Sequence, residues 1–162
     1  MVFDHLEEKE AVKRAALIEI NGYRFYTLLA GKTENKDARA IFKKLADDEK
    51  QHLKLIETHF FPEAGFSDQI TEEELQIEDF IERTGAADIF SKRINVDALV
   101  RAIDTPKKAL IIALDTERHS VEYFEKLSKR SQTEEGRKIY SELLEEEKSH
   151  VSQIENMLSA NP

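Results

Sequence analysis

Six residues whose side chains can hold metal ions, Glu19, Glu49, His52, Glu117, Glu147 and His150, fall at positions that repeat after 98 residues. Glu19 precedes Glu49 by 30 positions, and Glu117 precedes Glu147 by the same 30. Each of the later glutamates opens a Glu-x-x-His motif, Glu49 to His52 and Glu147 to His150. Carboxylates are hard oxygen donors and neutral imidazoles are nitrogen donors, so the set can bind divalent ions. A lone Glu on each of two helices and Glu-x-x-His on each of two others is the ligand inventory of a two-metal carboxylate site inside a four-helix bundle.

The elements that must position these residues are duplicated with them. Between Glu19–Glu57 and Glu117–Glu155, ten of 39 aligned pairs are identical, among them Leu29/Leu127, Arg39/Arg137, Leu45/Leu143 and Ile56/Ile154. Unrelated helical sequence would give roughly one match in fifteen. Tyr26/Phe124, Phe42/Tyr140 and Asp48/Glu146 keep their chemistry. Helical periodicity dominates both copies, with apolar residues at spacings of three and four. Gly31 reads as the stop of the first helix, Asn35 as the cap of the second, Thr105-Pro106 as the start of the third, and Thr133 as the cap of the fourth. The expectation is an all-α, single-domain chain over 1–162, duplicated at about 4–58 and 105–159.

Within each copy a tight turn of about four residues forces antiparallel neighbours. Between the copies, residues 59–104 are too many for a turn. They read as one long crossover between helices 2 and 3 carrying short extra helices: an acidic amphipathic stretch from Thr71 to Arg83, a break at Gly85-Ala86-Ala87, and a helical pattern from Asp97 to Ile103. A small second domain is the alternative, disfavoured by how few large apolar groups the segment offers.

On each helix the Glu or His lies on the stripe that otherwise carries Leu, Ile, Ala and Tyr. Leu45, Glu49, His52 and Ile56 follow one another by four, three and four positions, so they point to one face. Burying an unpaired carboxylate costs several kcal/mol, and four converging would be prohibitive without a cation among them. Lys50, Lys54 and Lys148 fall on other faces. Two divalent ions would balance four carboxylates, with one imidazole each and positions left open. Such a site suits iron or manganese better than a closed structural zinc, which prefers four tight ligands per ion.

Composition narrows the rest. The chain has no cysteine, which removes thiolate sites, disulfides and Cys nucleophiles and fits a reducing, cytoplasmic setting. With 24 basic and 33 acidic residues the formal charge is −9, against nucleic acid as a main partner. No apolar run approaches a membrane span or a signal sequence.

The stretches Glu19-x-x-Gly-x-x-Phe-Tyr26 and Leu45-Ala-Asp-Asp-Glu49-Lys-x-His52, with their repeats Glu117 to Phe124 and Leu143-Leu-Glu-Glu-Glu147-Lys-x-His150, resemble the rubrerythrin family of ferritin-like di-iron proteins. The resemblance covers both helix pairs and implies a ferritin-like four-helix bundle. By that likeness Glu49 and Glu147 bridge two metals, Glu19 and Glu117 are terminal carboxylates, and His52 and His150 each cap one ion. No catalytic residue is implied beyond these ligands. Tyr26, on a core stripe, packs by default; the resemblance adds a hydrogen bond to a ligand carboxylate. Two departures stand out. The four-cysteine rubredoxin-like domain of true rubrerythrins is not present here, and the family's further glutamate, three residues after Glu117, is Ser120.

The function expected is a di-iron, or di-manganese, redox enzyme reducing peroxide or dioxygen in oxidative-stress defence. Its electrons would come from a separate donor such as a rubredoxin-like protein, and the chain would be a homodimer. Iron handling as a ferroxidase module, or a structural bundle whose metals only offset buried charge, are the alternatives. His59, His119 and Tyr140 are expected outside the site.

Overall fold

A computed structural model describes residues 5–60, 95–131 and 133–160. These form five helices: α1 (His5–Lys32), α2 (Lys36–Phe60), α3 (Val96–Ala102), α4 (Pro106–Arg130) and α5 (Glu134–Ala160). Four are long and one is short, and all the regular structure among the described residues is helical, as the apolar periodicity predicts. The acidic stretch Thr71 to Arg83 and the Gly85-Ala86-Ala87 break lie outside the described residues; the short pattern near Asp97 is α3. None of the described helices is long and apolar enough to cross a membrane.

The helix ends follow from their caps. Asn35 Oδ1 accepts from the Ala38 amide at 3.0 Å, and Thr133 Oγ1 accepts from the Gly136 amide at 3.0 Å. These residues are 98 apart, so the duplication extends to the caps. Thr105 caps α4 in extended conformation with Pro106 in the first turn, where proline's missing N–H costs nothing. Gly31 does not stop α1, which continues to Lys32 and ends where Thr33 N–H and Oγ1 both donate to the Leu29 carbonyl. The connections are three residues long, 33–35 and 131–133, one shorter than the sequence suggests. Arg39 Nε donates to the Thr33 carbonyl at 3.0 Å and Arg137 Nη1 to the Ser131 carbonyl at 2.8 Å, locking both turns by the same contact.

α1 packs along α2 and α4 along α5. The apolar core is split in two. One cluster gathers Phe25, Tyr26, Leu29, Phe42, Leu45, Val96, Val100, Leu110, Ala113 and Ile154; the other gathers Val12, Ala15, Ala16, Ile56, Phe124, Leu127, Ile139 and Leu143. Along each long helix the chain passes from one cluster to the other, and Glu19, Glu49, Glu117 or Glu147 stands between. The order also gives direction. α1 and α5 run from the second cluster to the first, whereas α2 and α4 run from the first to the second. α2 and α4 therefore run parallel, so that the end of α2 and the start of α4 lie at opposite ends of the bundle, as ferritin-like connectivity requires. α3 belongs to the first cluster through Val96 and Val100, and Lys32 Nζ fastens it by donating to the carbonyls of Val100 at 3.0 Å and Ile103 at 2.5 Å.

Candidate metal centre

The polar layer between the two clusters consists of the six residues singled out by the repeat. Glu19 comes from α1, Glu49 and His52 from α2, Glu117 from α4, and Glu147 and His150 from α5; all six are buried. They fall into two overlapping groups. Glu19, Glu49, His52 and Glu147 form one, and Glu49, Glu117, Glu147 and His150 the other, with one donor atom of each residue within 4.8 Å of the rest of its group. Glu49 and Glu147 belong to both groups, the placement a carboxylate needs to bridge two ions.

The imidazoles aim inward by the same atom. His52 Nδ1 lies 3.0 Å from Glu147 Oε1, 3.4 Å from Glu19 Oε2 and 3.7 Å from Glu49 Oε2. His150 Nδ1 lies 3.3 Å from Glu49 Oε1, 3.4 Å from Glu147 Oε2 and 3.6 Å from Glu117 Oε1. The two rings are nearly parallel, 17° apart in plane, with centroids separated by 5.6 Å. Yet His150 Nδ1, both oxygens of Glu19 and Oε2 of Glu147 have no hydrogen-bond partner. Buried polar atoms that crowd together without bonding one another are arranged around common points rather than toward each other. That geometry fits cations, and with four carboxylates and two imidazoles the charge and donor types fit two divalent ions.

Protons stand in for such cations in the chain itself. Burial, followed by the Glu49 and Glu147 charges, raises Glu19 well above the usual carboxylate range. Burial and the neighbouring Glu147 push Glu117 up to about 8. Burial opposes charge on both imidazoles, but the Glu19 charge and the Glu147 contact hold His52 far above its ordinary value. Contacts with Glu117, Glu147 and Glu49 do the same for His150. On Glu49 and Glu147, burial and carboxylate repulsion are outweighed by contacts with the imidazoles and with Glu19 and Glu117 respectively, so both stay below the usual range. The layer is thus close to neutral: two carboxylates, two carboxyls and two imidazolium rings.

The outer nitrogens find carboxylates on the opposite helix pair. His52 Nε2 pairs with Glu146 Oε2, and His150 Nε2 lies 3.1 Å from Asp48 Oδ2. Once Nδ1 gives up its proton to an incoming cation, a proton kept on Nε2 by these acceptors leaves the Nδ1 lone pair for the centre. In the sequence the run Glu145 to Glu147 reads as an ordinary helix face with Glu147 alone on the stripe, and Glu146 is indeed exposed; its carboxylate nevertheless reaches the imidazole of the other half, as Asp48 does from the residue before Glu49. The signal was the kept acidity of Asp48/Glu146 in the repeat. Tyr26 Oη donates to Glu117 Oε1 at 2.5 Å while its ring stacks on Phe42, so it both packs and holds a carboxylate. Its counterpart Phe124 stacks on Tyr140.

The remaining polar residues take structural places. His119 is exposed, 3.7 Å from Asp115, and His59 lies 3.4 Å from Glu135, outside the layer. Ser120 is buried and its hydroxyl donates to the Thr116 carbonyl at 3.0 Å. One turn after Glu19, at the position equivalent to Ser120, stands Gly22; a Cβ there would touch Glu49 Cδ at 3.4 Å. Small residues therefore follow the lone glutamate in both copies.

Fold and site together define a ferritin-like helical bundle with a buried carboxylate and imidazole centre suited to two metal ions. A family model described as Rubrerythrin matches residues 10–158, and the chain belongs to that family. No curated protein matches the chain.

Proposed function

We propose that the chain is a di-iron redox enzyme that reduces peroxide or dioxygen, with manganese as the alternative metal. The observation that carries this reading is the pair of overlapping four-residue groups sharing Glu49 and Glu147. When bound, two ferrous ions would supply one electron each, the pair needed to reduce a peroxide to water.

The chain's own residues would do the rest. Glu49 and Glu147 would span both ions, Glu19 with His52 and Glu117 with His150 would complete one position each, and Asp48 and Glu146 would keep the imidazoles in the donating tautomer. The apolar clusters on either side keep bulk water from the layer along the bundle axis. Gly22 lets the Glu49 carboxylate lie close against α1. The 162 residues include no cysteine, so the electrons that return the centre to its reduced state come from outside them, from a rubredoxin-like donor. A reducing cytoplasm and a homodimer complete the reading.

The test is to load the protein with ferrous iron without oxygen, add one equivalent of hydrogen peroxide, and follow the near-ultraviolet absorption of the ferric product. Oxidation many times faster than that of free ferrous ion is expected; an equal rate would sink the enzyme reading. Continued oxidation of many irons per chain would identify iron handling instead.

A further inference from the structure

The duplication makes the two halves of the centre nearly equivalent in sequence, but their surroundings are unequal. Tyr26 holds Glu117, and its hydroxyl takes Oε1, the same oxygen that lies 3.6 Å from His150 Nδ1. Phe124, which the repeat equates with Tyr26, has no hydroxyl to offer Glu19. Both oxygens of Glu19 are without a hydrogen-bond partner. A second difference lies outside the imidazoles. Asp48, the acceptor for His150 Nε2, also pairs with Lys44 at 2.8 Å, which draws off part of its charge; the acceptor for His52 is Glu146.

Both differences weaken the same side. A carboxylate oxygen that accepts a hydrogen bond gives less electron density to a metal, and a ring whose outer N–H faces a partly neutralised acceptor is a poorer donor. Resting on the two-metal reading above, we propose that the two metal positions are inequivalent: the position made by Glu19 and His52 loads first, and the Tyr26 hydroxyl is what sets the Glu117 and His150 position behind it. Tyr26 is then a positioning residue acting through Glu117. The consequence is ordered loading, in which a chain with one ion holds it at the Glu19 position.

The probe is cobalt(II) alone, titrated into the full chain after chelator treatment and followed by calorimetry and visible absorption, which reports the coordination of each ion. Two steps with dissociation constants roughly 10- to 100-fold apart are expected, the range over which outer partners tune metal sites. Glu19→Gln should remove the tighter step and Glu117→Gln the weaker one. Tyr26→Phe keeps the ring on Phe42 and deletes only the hydroxyl, which returns the full electron density of Glu117 Oε1 to the metal; it should tighten the weaker step, close the gap between the two and shift its visible spectrum. Circular dichroism establishes that each variant is folded. Two equal steps in the unaltered protein, loss of the weaker step in Glu19→Gln, or an unchanged gap in Tyr26→Phe would each overturn the proposal while leaving two-metal binding intact. Uptake of well under one ion per chain would instead overturn the two-metal reading, and this inference with it.

Discussion

Glu117 illustrates how much of the centre's behaviour lies in single side chains. Its carboxyl, pushed from an ordinary value of 4.5 up to about 8, keeps a proton that the unfolded chain would lose. Glu19, His52 and His150 are raised as well, so above about pH 4.5 the folded, metal-free protein binds more protons than the unfolded chain. Its stability must then fall as pH rises from 5 through 8, and thermal unfolding in the presence of chelator should show a melting temperature lower at pH 8 than at pH 5 by roughly 5 °C or more. Below 4.5, protonation of the depressed Glu49 and Glu147 removes stability in the other direction. Metal must displace these protons, so loading at pH 7 should release roughly four per chain into an indicator dye, and a release of one or none would contradict the charge balance. Gly22 offers a steric test. Gly22→Ala puts one methyl in ordinary contact with Glu49 and improves helix propensity by about 1 kcal/mol, whereas Gly22→Leu must displace the Glu49 carboxylate. Metal binding should survive the first change and be lost in the second, as read by metal content after dialysis. The six layer residues were legible in the sequence because period and register are properties of one chain. The partners Glu146 and Asp48 were not, because helical periodicity says which face a residue occupies and nothing about which ring on a distant helix it meets.

The helices were legible from their stripes, and their ends from Asn35, Thr105 and Thr133, whose side chains bond amides three residues on. Gly31 misled because a glycine stops a helix where the backbone turns left-handed, and here the helix continues one more residue and closes through Thr33. The identity of Arg39 and Arg137 was visible, but its reason was not: each reaches back six residues to a turn carbonyl. Lys32 was similarly opaque, since its acceptors lie 68 and 71 positions away. Its ammonium donates to carbonyls at the end of α3, where the Val100 carbonyl also accepts from the Ile103 amide. Lys32→Met keeps the aliphatic stem and removes both bonds, and should lower unfolding free energy by about 1 kcal/mol in denaturant titration. Metal stoichiometry should stay the same, because α3 packs in the first apolar cluster and contributes no residue to the polar layer.

At the scale of the whole molecule, bundle architecture and antiparallel pairing followed from four amphipathic stretches and their tight turns, and the cluster that each helix end joins agrees with those directions. The split core has an energetic consequence that metal removal exposes. Ions that bind the folded chain alone stabilise it by about 2.7 kcal/mol per site at a hundredfold excess over the dissociation constant. Two such sites should raise the melting temperature by about 10 °C or more over the chelated protein, and an unchanged value would show that the layer is stable without them. The membership of the two groups carries this further. The α1–α2 hairpin contributes Glu19, Glu49 and His52 to its own group and Glu49 to the other, and the α4–α5 hairpin reciprocates with Glu147. Neither hairpin holds a complete group, so an ion bound in either would act as a removable rivet between the two halves, and two copies of a single hairpin facing each other would present the same set of ligands.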